Sequence, residues 1–522
     1  MTNTLRTNHR RSARLPLAVL ALVLCSGCSS DDDDGDSGDA LSEDVCVSAP
    51  VDGFGFDRYG GWKGIERGPS RRFRVEQVDG VWWLITPDGH ALFSNGPTGV
   101  GPIGDTIRDT GRSPYHEAVL AKHGSDEAWA RSTLARLCEL GIRSFGGWMG
   151  PGELDLFAGQ MPYTVNVDFY QAMPEVPTGP ASVKARRDVF DPRAATLAAQ
   201  LAAPGGPIAR CAADPWCIGV YNENEVPYAP SILAGGTHLD VYLSMTAGAP
   251  GKRAVQELFA ARYAQDIEAF NAVWGTDLTS FAGIQELATF GGCEPVFGYL
   301  DDLCYLDEPP ARFADRLAFE AHVAARIAAL GAEVLDAADP EMLNLGPRLV
   351  VAPFAREVVE ALAAPVDVVS VNNYDVRATV DALLDEEQKA KLAASGLLSL
   401  DPFERLHELA EITGKPVLVT EWFYRRARPD VPSYPPFLPE VADGPAQATA
   451  YQAYMEQLLA MPFVVGEHWF QWQDQPIEGR FDGENQLIGI VDITDELNQP
   501  LASTTAAVNA SIVARRHALN GD

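Results

Sequence analysis

From about residue 71 onward, short contiguous apolar runs alternate with longer stretches in which apolar side chains return every three or four residues. The first pattern reads as buried strand, the second as amphipathic helix. Eight strand-like runs are expected, at 91–95, 142–148, 163–169, 217–221, 343–348, 366–372, 416–421 and 464–472. Between them, 126–140 reads as a helix that opens after Ser125 as N-cap and closes at Gly141, with Leu134, Leu137 and Cys138 on one face. A second helix is expected to run unbroken over 252–274, where Val255, Leu258, Phe259, Tyr263, Ile267 and Phe270 recur at helical spacing. Strands alternating with helices predict an α/β chain with a parallel sheet, and eight such units close naturally into a (β/α)8 TIM barrel.

Ahead of these units, Phe73-Arg74-Val75-Glu76 and Val81-Trp82-Trp83-Leu84-Ile85, joined through Asp79-Gly80, predict a β-hairpin that plugs the N-terminal end of the barrel. The stretch 228–343 after the fourth strand is the longest connection, and is expected to carry a helical insert that shapes a cleft. The organisation expected is a lipoprotein signal peptide at 1–27, a tether at 28–45, an N-terminal segment with the hairpin at 46–90 and the catalytic barrel at 91–520.

The signal reading rests on Arg6, Arg10, Arg11 and Arg14 before the apolar run 15–24, followed by Cys25-Ser26-Gly27-Cys28. That run is too short to span a bilayer. Ser26, Gly27 and Cys28 fit a lipobox, with Cys25 where Leu is commoner, so Cys28 is expected to become the acylated N-terminus. An ordinary signal peptide cut nearby is the alternative. Ser29 after it points to outer-membrane delivery. The acidic segment that follows, with Asp31 to Asp34, lacks apolar periodicity and reads as a disordered tether.

The formal charge of −32 disfavours nucleic acid and other polyanions and favours a neutral substrate. Contact with a membrane is expected through the lipid anchor alone, and the oligomeric state is left open. In an oxidising compartment the six remaining cysteines are expected to form disulfides. Proximity suggests Cys211 with Cys217 and Cys293 with Cys304, leaving Cys46 for Cys138. With no CxxC pair among these six and no HExxH motif in the chain, a metal role for them is not expected, and no cofactor is implied.

Polar and aromatic residues gather where the predicted strands end. Gly146-Gly147-Trp148 closes the second, Tyr221-Asn222-Glu223-Asn224-Glu225 the fourth, Asn372-Asn373-Tyr374 the sixth, Thr420-Glu421-Trp422 the seventh and His468-Trp469-Phe470-Gln471-Trp472 the eighth. Glycoside hydrolysis needs one carboxyl group to protonate the leaving oxygen and another to attack or stabilise the anomeric carbon. Glu225 and Glu421 are the candidates. Glu223, two residues earlier and on the same side of an extended strand, is ranked as a supporting or substrate-binding carboxylate. Trp148, Tyr374, Trp422, Trp469 and Trp472 are candidate platforms for sugar rings, with core packing as the alternative for each. The Tyr374 hydroxyl is suited to align a nucleophilic carboxylate. His468 is a weaker candidate ligand, and Asp474 and Arg348 weaker still.

With these residues in view, the chain resembles the β-agarase-type glycoside hydrolases and their β-galactosidase-like relatives, in the clan of retaining (β/α)8 enzymes. The resemblance spans roughly residues 70 to 500. It is carried by Leu92-Phe93-Ser94-Asn95-Gly96, Leu140-Gly141-Ile142-Arg143-Ser144-Phe145-Gly146 and the run from Asp214-Pro215-Trp216-Cys217-Ile218-Gly219-Val220 to Asn224-Glu225. Phe270-Asn271-Ala272-Val273-Trp274-Gly275 and Val366-Asp367-Val368-Val369-Ser370-Val371-Asn372 extend it. It implies a retaining mechanism with Glu225 as acid/base, Glu421 as nucleophile, Asn224 on the sugar 2-hydroxyl and Tyr374 positioning Glu421. The sequence departs from the group with Glu223-Asn224-Glu225-Val226 in place of Asp-Asn-Glu-Leu, and with Asn373 as an extra amide. The substrate implied is a neutral β-galactan of which agarose is one candidate. A transglycosidase using the same site and a catalytically silent glycan-binding surface lipoprotein are the alternatives.

Overall fold

The computed structural model describes residues 50–176, 186–226, 228, 237–291, 301–350 and 354–519, with backbone only at 301–303. The export signal, Cys28, the tether, Cys46 and Cys293 lie outside these residues.

The hairpin forms as its turn residues dictate. Val78 pairs with Val81, leaving Asp79 and Gly80 as a two-residue turn with φ of 48° and 86°, the left-handed pair such a hairpin requires. Its strands Arg74–Val78 and Val81–Ile85 join His90–Leu92 and Trp62–Glu66 in a four-stranded antiparallel sheet. The expected first strand, 91–95, is therefore split. Ala91 and Leu92 belong to this sheet, and the parallel ladder begins at Ser94.

The parallel strands run in two ladders. Ser94–Pro97, Val464–Trp469, Val417–Trp422, Val369–Asn372, Pro347–Leu349 and Glu223–Asn224 form one, and Tyr163–Asn166, Cys217–Tyr221 and Leu343–Asn344 the other. Two segments belong to both, because the ladder is interrupted at Asn222 and at Leu345-Gly346. In place of a strand over 142–148 there is a single parallel bridge from Phe145 to Tyr163. On the other side of that segment, Arg143 N–H donates to Asn95 O at 3.1 Å and Gly146 N–H to Pro97 O at 3.0 Å. Gly146 is held close: a Cβ there would lie 2.8 Å from Thr98 Cγ2.

Helices cover the strands. Asp126–Glu139 opens as expected, with the Ser125 side chain accepting from Ala128 N–H. The expected helix over 252–274 is two helices, Pro250–Arg262 and Ile267–Trp274. Ala264 and Gln265 take left-handed φ of 52° and 66°, and Asp266 caps the second helix by accepting from Ala269 N–H. A local cap outweighs apolar periodicity there, since Asp competes well for free N–H groups. The insert also holds the 29-residue helix Pro310–Ala338.

Leu84 and Leu92 of the antiparallel sheet, with Phe73 just before it, share one buried cluster with Ile218, Leu343, Leu345, Val368, Leu418 and Val465. These come from the early part of each parallel segment, so the antiparallel sheet covers the N-terminal ends of the strands. Cys211 and Cys217 form a disulfide with Cα atoms 5.2 Å apart, clipping helix Pro207–Ala213 to the strand that leads to Glu225. Cys138 and Cys304 are also disulfide-bonded. No helix among the described residues is long and apolar enough to cross a membrane.

Candidate active site

Glu421 reaches the site through an irregularity in its own strand. Val371 pairs with Val419, but Asn372 pairs with Glu421, so Thr420 is an extra residue, a β-bulge. The bulge places Glu421 on the inner side with Leu418 and turns Trp422 outward, where its ring stacks on Tyr454 of helix Gly444–Leu459 at 4.1 Å.

Three donors converge on the Glu421 carboxylate. Trp148 Nε1 donates to Oε1 at 2.6 Å, Arg348 Nη2 lies 2.7 Å from the same oxygen, and Tyr374 OH donates to Oε2 at 2.7 Å. Charge-assisted bonds of this kind orient a carboxylate. Burial, followed by the Glu421 and Glu225 charges, pushes the Tyr374 hydroxyl well above its ordinary range, so it remains a donor.

Glu225 stands beside this cluster. Asn372 Nδ2 donates to Glu225 Oε1 at 2.9 Å and to Asn224 Oδ1 at 3.2 Å, while Thr420 Oγ1 donates to Asn372 Oδ1 at 2.8 Å. Arg348 Nη1 donates to Asn224 Oδ1 at 3.1 Å, so one guanidinium spans Glu421 and the residue before Glu225. Glu225 and Trp148 both hold left-handed backbones, with φ of 53° and 69°. Non-glycine residues held this way cost about 1–3 kcal/mol each and cluster at functional sites.

The left-handed turn at Glu225 also breaks strand alternation, so Glu223 does not share its side. Glu223 is buried, its Oε1 accepting from Tyr170 N–H. Trp148 is 41% exposed and offers a ring to solvent. The other expected sugar platforms do not. Trp422 is covered by Tyr454 and Tyr451 and donates to Glu467, Trp469 donates to Ile488 O, and Trp472 lies under Arg136 with its N–H on Tyr115 OH. All three are buried core rings, which corrects the sugar-stacking expectation for them. His468 is likewise enclosed, bonded to Ser94 Oγ at 2.9 Å and Tyr221 OH at 3.3 Å. Burial and then Arg348 push its pKa down to about 3, so it is a neutral packing group and not a ligand at the cleft.

Arg348, a weak candidate from sequence, is the residue that joins the cluster, and Asn372 stands out in the sequence only as part of a strand end. The usable signal was a charged residue at the end of a strand predicted to be wholly buried, since such a group needs a partner. Asn373 is structural: its amide donates to Tyr454 OH and Pro402 O and accepts from Arg405. Among the described residues, no three His, Cys, Asp or Glu side chains are placed to hold a metal ion.

No family model matches the chain. It is 26% identical over 490 residues to β-agarase A of Vibrio sp. (strain JT0107), covering 82% of this chain and 44% of that protein. It is 24% identical over 538 residues to β-agarase B of the same strain, covering 88% and 50%. The chain is thus similar in sequence to β-agarases. It spans about half the length of the curated relatives it matches. A solved exo-β-agarase superposes with a TM-score of 0.70 at 22% identity, covering 91% of this chain and 69% of that one. A solved agarase does so with 0.67 at 24% identity, covering 90% and 68%. The chain shares its fold with these hydrolases over nearly the whole described length.

Proposed function

We propose that the protein is a retaining β-glycosidase acting on a neutral, agarose-type galactan, with Glu421 as nucleophile and Glu225 as acid/base. The observation that carries this is the convergence of Trp148, Arg348 and Tyr374 on Glu421, with Asn372 and Asn224 linking it to Glu225. A carboxylate aligned by three donors suits attack on an anomeric carbon. Two carboxyl groups held within one hydrogen-bonded cluster suit the short separation of about 5–5.5 Å used in double displacement.

Glu421 attacks the anomeric carbon while the bond to the leaving oxygen breaks and Glu225 gives that oxygen its proton. Glu225, now a carboxylate, then takes a proton from water, whose oxygen displaces Glu421 and frees the sugar. Similarity to the two agarases supports the galactan. The fold is read as a (β/α)8 barrel, supported by the two ladders sharing strands and by the hydrogen bonds from 143–146 to 95–97 that join their far edges. Export and acylation at Cys28 stay part of the proposal.

The test is hydrolysis of agarose, its oligosaccharides and aryl β-galactosides by the chain from residue 41 onward, with Glu225→Gln and Glu421→Gln. We expect loss of at least about a thousandfold in both variants on unactivated substrate, and product released first as the β-anomer. Inverted product, or a Glu421→Gln variant that keeps its turnover, would overturn the mechanism.

A further inference from the structure

A second assembly lies next to the cluster, on the loop that follows strand Val464–Trp469. Arg480 is its centre. Its Nη2 lies 2.7 Å from Glu484 Oε2 and 2.9 Å from Asp482 Oδ2, and its Nη1 lies 3.7 Å from Asp105 Oδ1. Gln471 Nε2 donates to Asp105 at 2.6 Å and Gln475 Nε2 to Glu484 Oε2 at 2.9 Å. Backbone bonds close the loop on itself, Arg480 N–H to Glu484 O and Gly483 N–H to Arg480 O, each at 2.8 Å. Arg108 N–H ties it to the 104–112 loop through Gly479 O.

This frame presents an exposed ring and a half-buried carboxylate. Phe481 is 71% exposed, with the Arg480 guanidinium 5.2 Å from its ring centroid. Glu484 takes both donors on Oε2, while among the described residues none donates to Oε1. Both groups connect to Glu421. Tyr374 contacts Phe423 at 4.9 Å, Phe423 stacks on Phe470 at 6.2 Å, and Arg480 covers Phe470 at 5.4 Å. The Glu421 charge is felt at Glu484, and the Glu484 charge at Tyr374.

We propose that Phe481 and Glu484 form a sugar-binding subsite next to the cleaved unit, Phe481 stacking on the C–H face of a neutral galactan residue and Glu484 Oε1 binding its hydroxyl. An exposed ring braced by a cation presents a fixed apolar plane at little conformational cost, which is what a sugar face requires. Burial, opposed by Arg480, pushes the Glu484 carboxyl up to about 7, so near neutrality it both accepts and donates hydrogen bonds. The inference rests on the glycosidase reading for the nature of its ligand.

The experiment separates the two. Calorimetric binding of an agarose tetrasaccharide to Glu421→Gln is compared with binding to the same protein carrying Phe481→Ala, Phe481→Trp or Glu484→Gln. Phe481→Ala is expected to weaken binding about tenfold and Phe481→Trp to restore it. Glu484→Gln is expected to weaken it about fivefold and to abolish the change in Kd between pH 6 and 8. Kd values equal to that of the Glu421→Gln parent in Phe481→Ala and Glu484→Gln overturn the subsite. Turnover by wild type is measured in parallel. Its absence on every galactan would overturn the glycosidase reading, while the binding comparison still decides the subsite.

Discussion

Tyr374 and Glu467 show how burial sets what a single residue can do. The Tyr374 hydroxyl donates to a carboxylate that also faces Trp148 and Arg348. A hydrogen bond to a charged group contributes about 1.5–3 kcal/mol, so Tyr374→Phe should lower kcat/KM about 10- to 100-fold with the fold intact. A loss under threefold, read by steady-state kinetics beside a circular-dichroism melt, would remove Tyr374 from the alignment of Glu421. Glu467 is buried in the helix-facing layer, with Trp422 Nε1 donating to it at 2.7 Å. Burial pushes its pKa from 4.5 up to about 8, only partly offset by Trp422. Between those values the folded chain holds a proton that the unfolded chain has released. This group's share of stability is therefore complete below about 4.5 and falls as pH rises toward 8, by at most about 1.4 kcal/mol per pH unit. Glu467→Gln keeps an acceptor for Trp422 and cannot ionise. Its urea-unfolding free energy should decline less than that of wild type across this range, and parallel declines would show that Glu467 ionises without cost.

At the scale of elements, the alternation of contiguous apolar runs with amphipathic stretches was the most readable signal and bulges the least. The hairpin, most of the parallel segments and the clustering of Glu225, Glu421 and Tyr374 at strand ends all follow from local pattern. Strict alternation from Leu418 would put Trp422 on the inner face, and only the pairing of Asn372 with Glu421 shows the extra residue that sends it outward. That pairing joins residues far apart in the sequence, as do the contacts that place Arg348. Asp495 is the extreme case. It sits in a turn with φ of 64° and takes Tyr115 OH at 2.8 Å, His123 Nε2 at 2.8 Å and Arg136 Nη2 at 2.8 Å, fastening the 492–496 turn to helices Pro114–His123 and Asp126–Glu139. Burial raises its pKa, but Arg136 and His123 outweigh it and bring the value to about 2. A depressed carboxylate contributes stability that is present above its unfolded pKa near 3.8 and lost as pH falls through about 2. Asp495→Asn should therefore cost about 3 kcal/mol at neutral pH, and the gap from wild type should narrow in acid. Thermal melts at pH 7 and pH 3 check this, and a gap that widened in acid would contradict the ion-pair origin.

At the scale of the whole molecule, a formal charge of −32 over 522 residues surrounds a site that already contains Glu225, Glu421 and Glu484. Arg348 is committed to Glu421 and Arg480 to Glu484. A neutral galactan feels little of this field, whereas a sulfated galactan of the same backbone approaches against it. The repulsion acts through solvent, where the Debye length is about 8 Å at physiological salt and about 3 Å at 1 M. On the galactan reading, kcat/KM on neutral agarose oligosaccharides should change less than about twofold as NaCl rises from low to molar concentration. On sulfated oligosaccharides of equal length it should start lower and rise about tenfold over the same range, through KM and not kcat, because the field acts on approach and leaves bond cleavage unaffected. Salt-insensitive rates on both substrates would mean that discrimination comes from contacts inside the cleft, with Phe481 and Glu484 the first residues to vary.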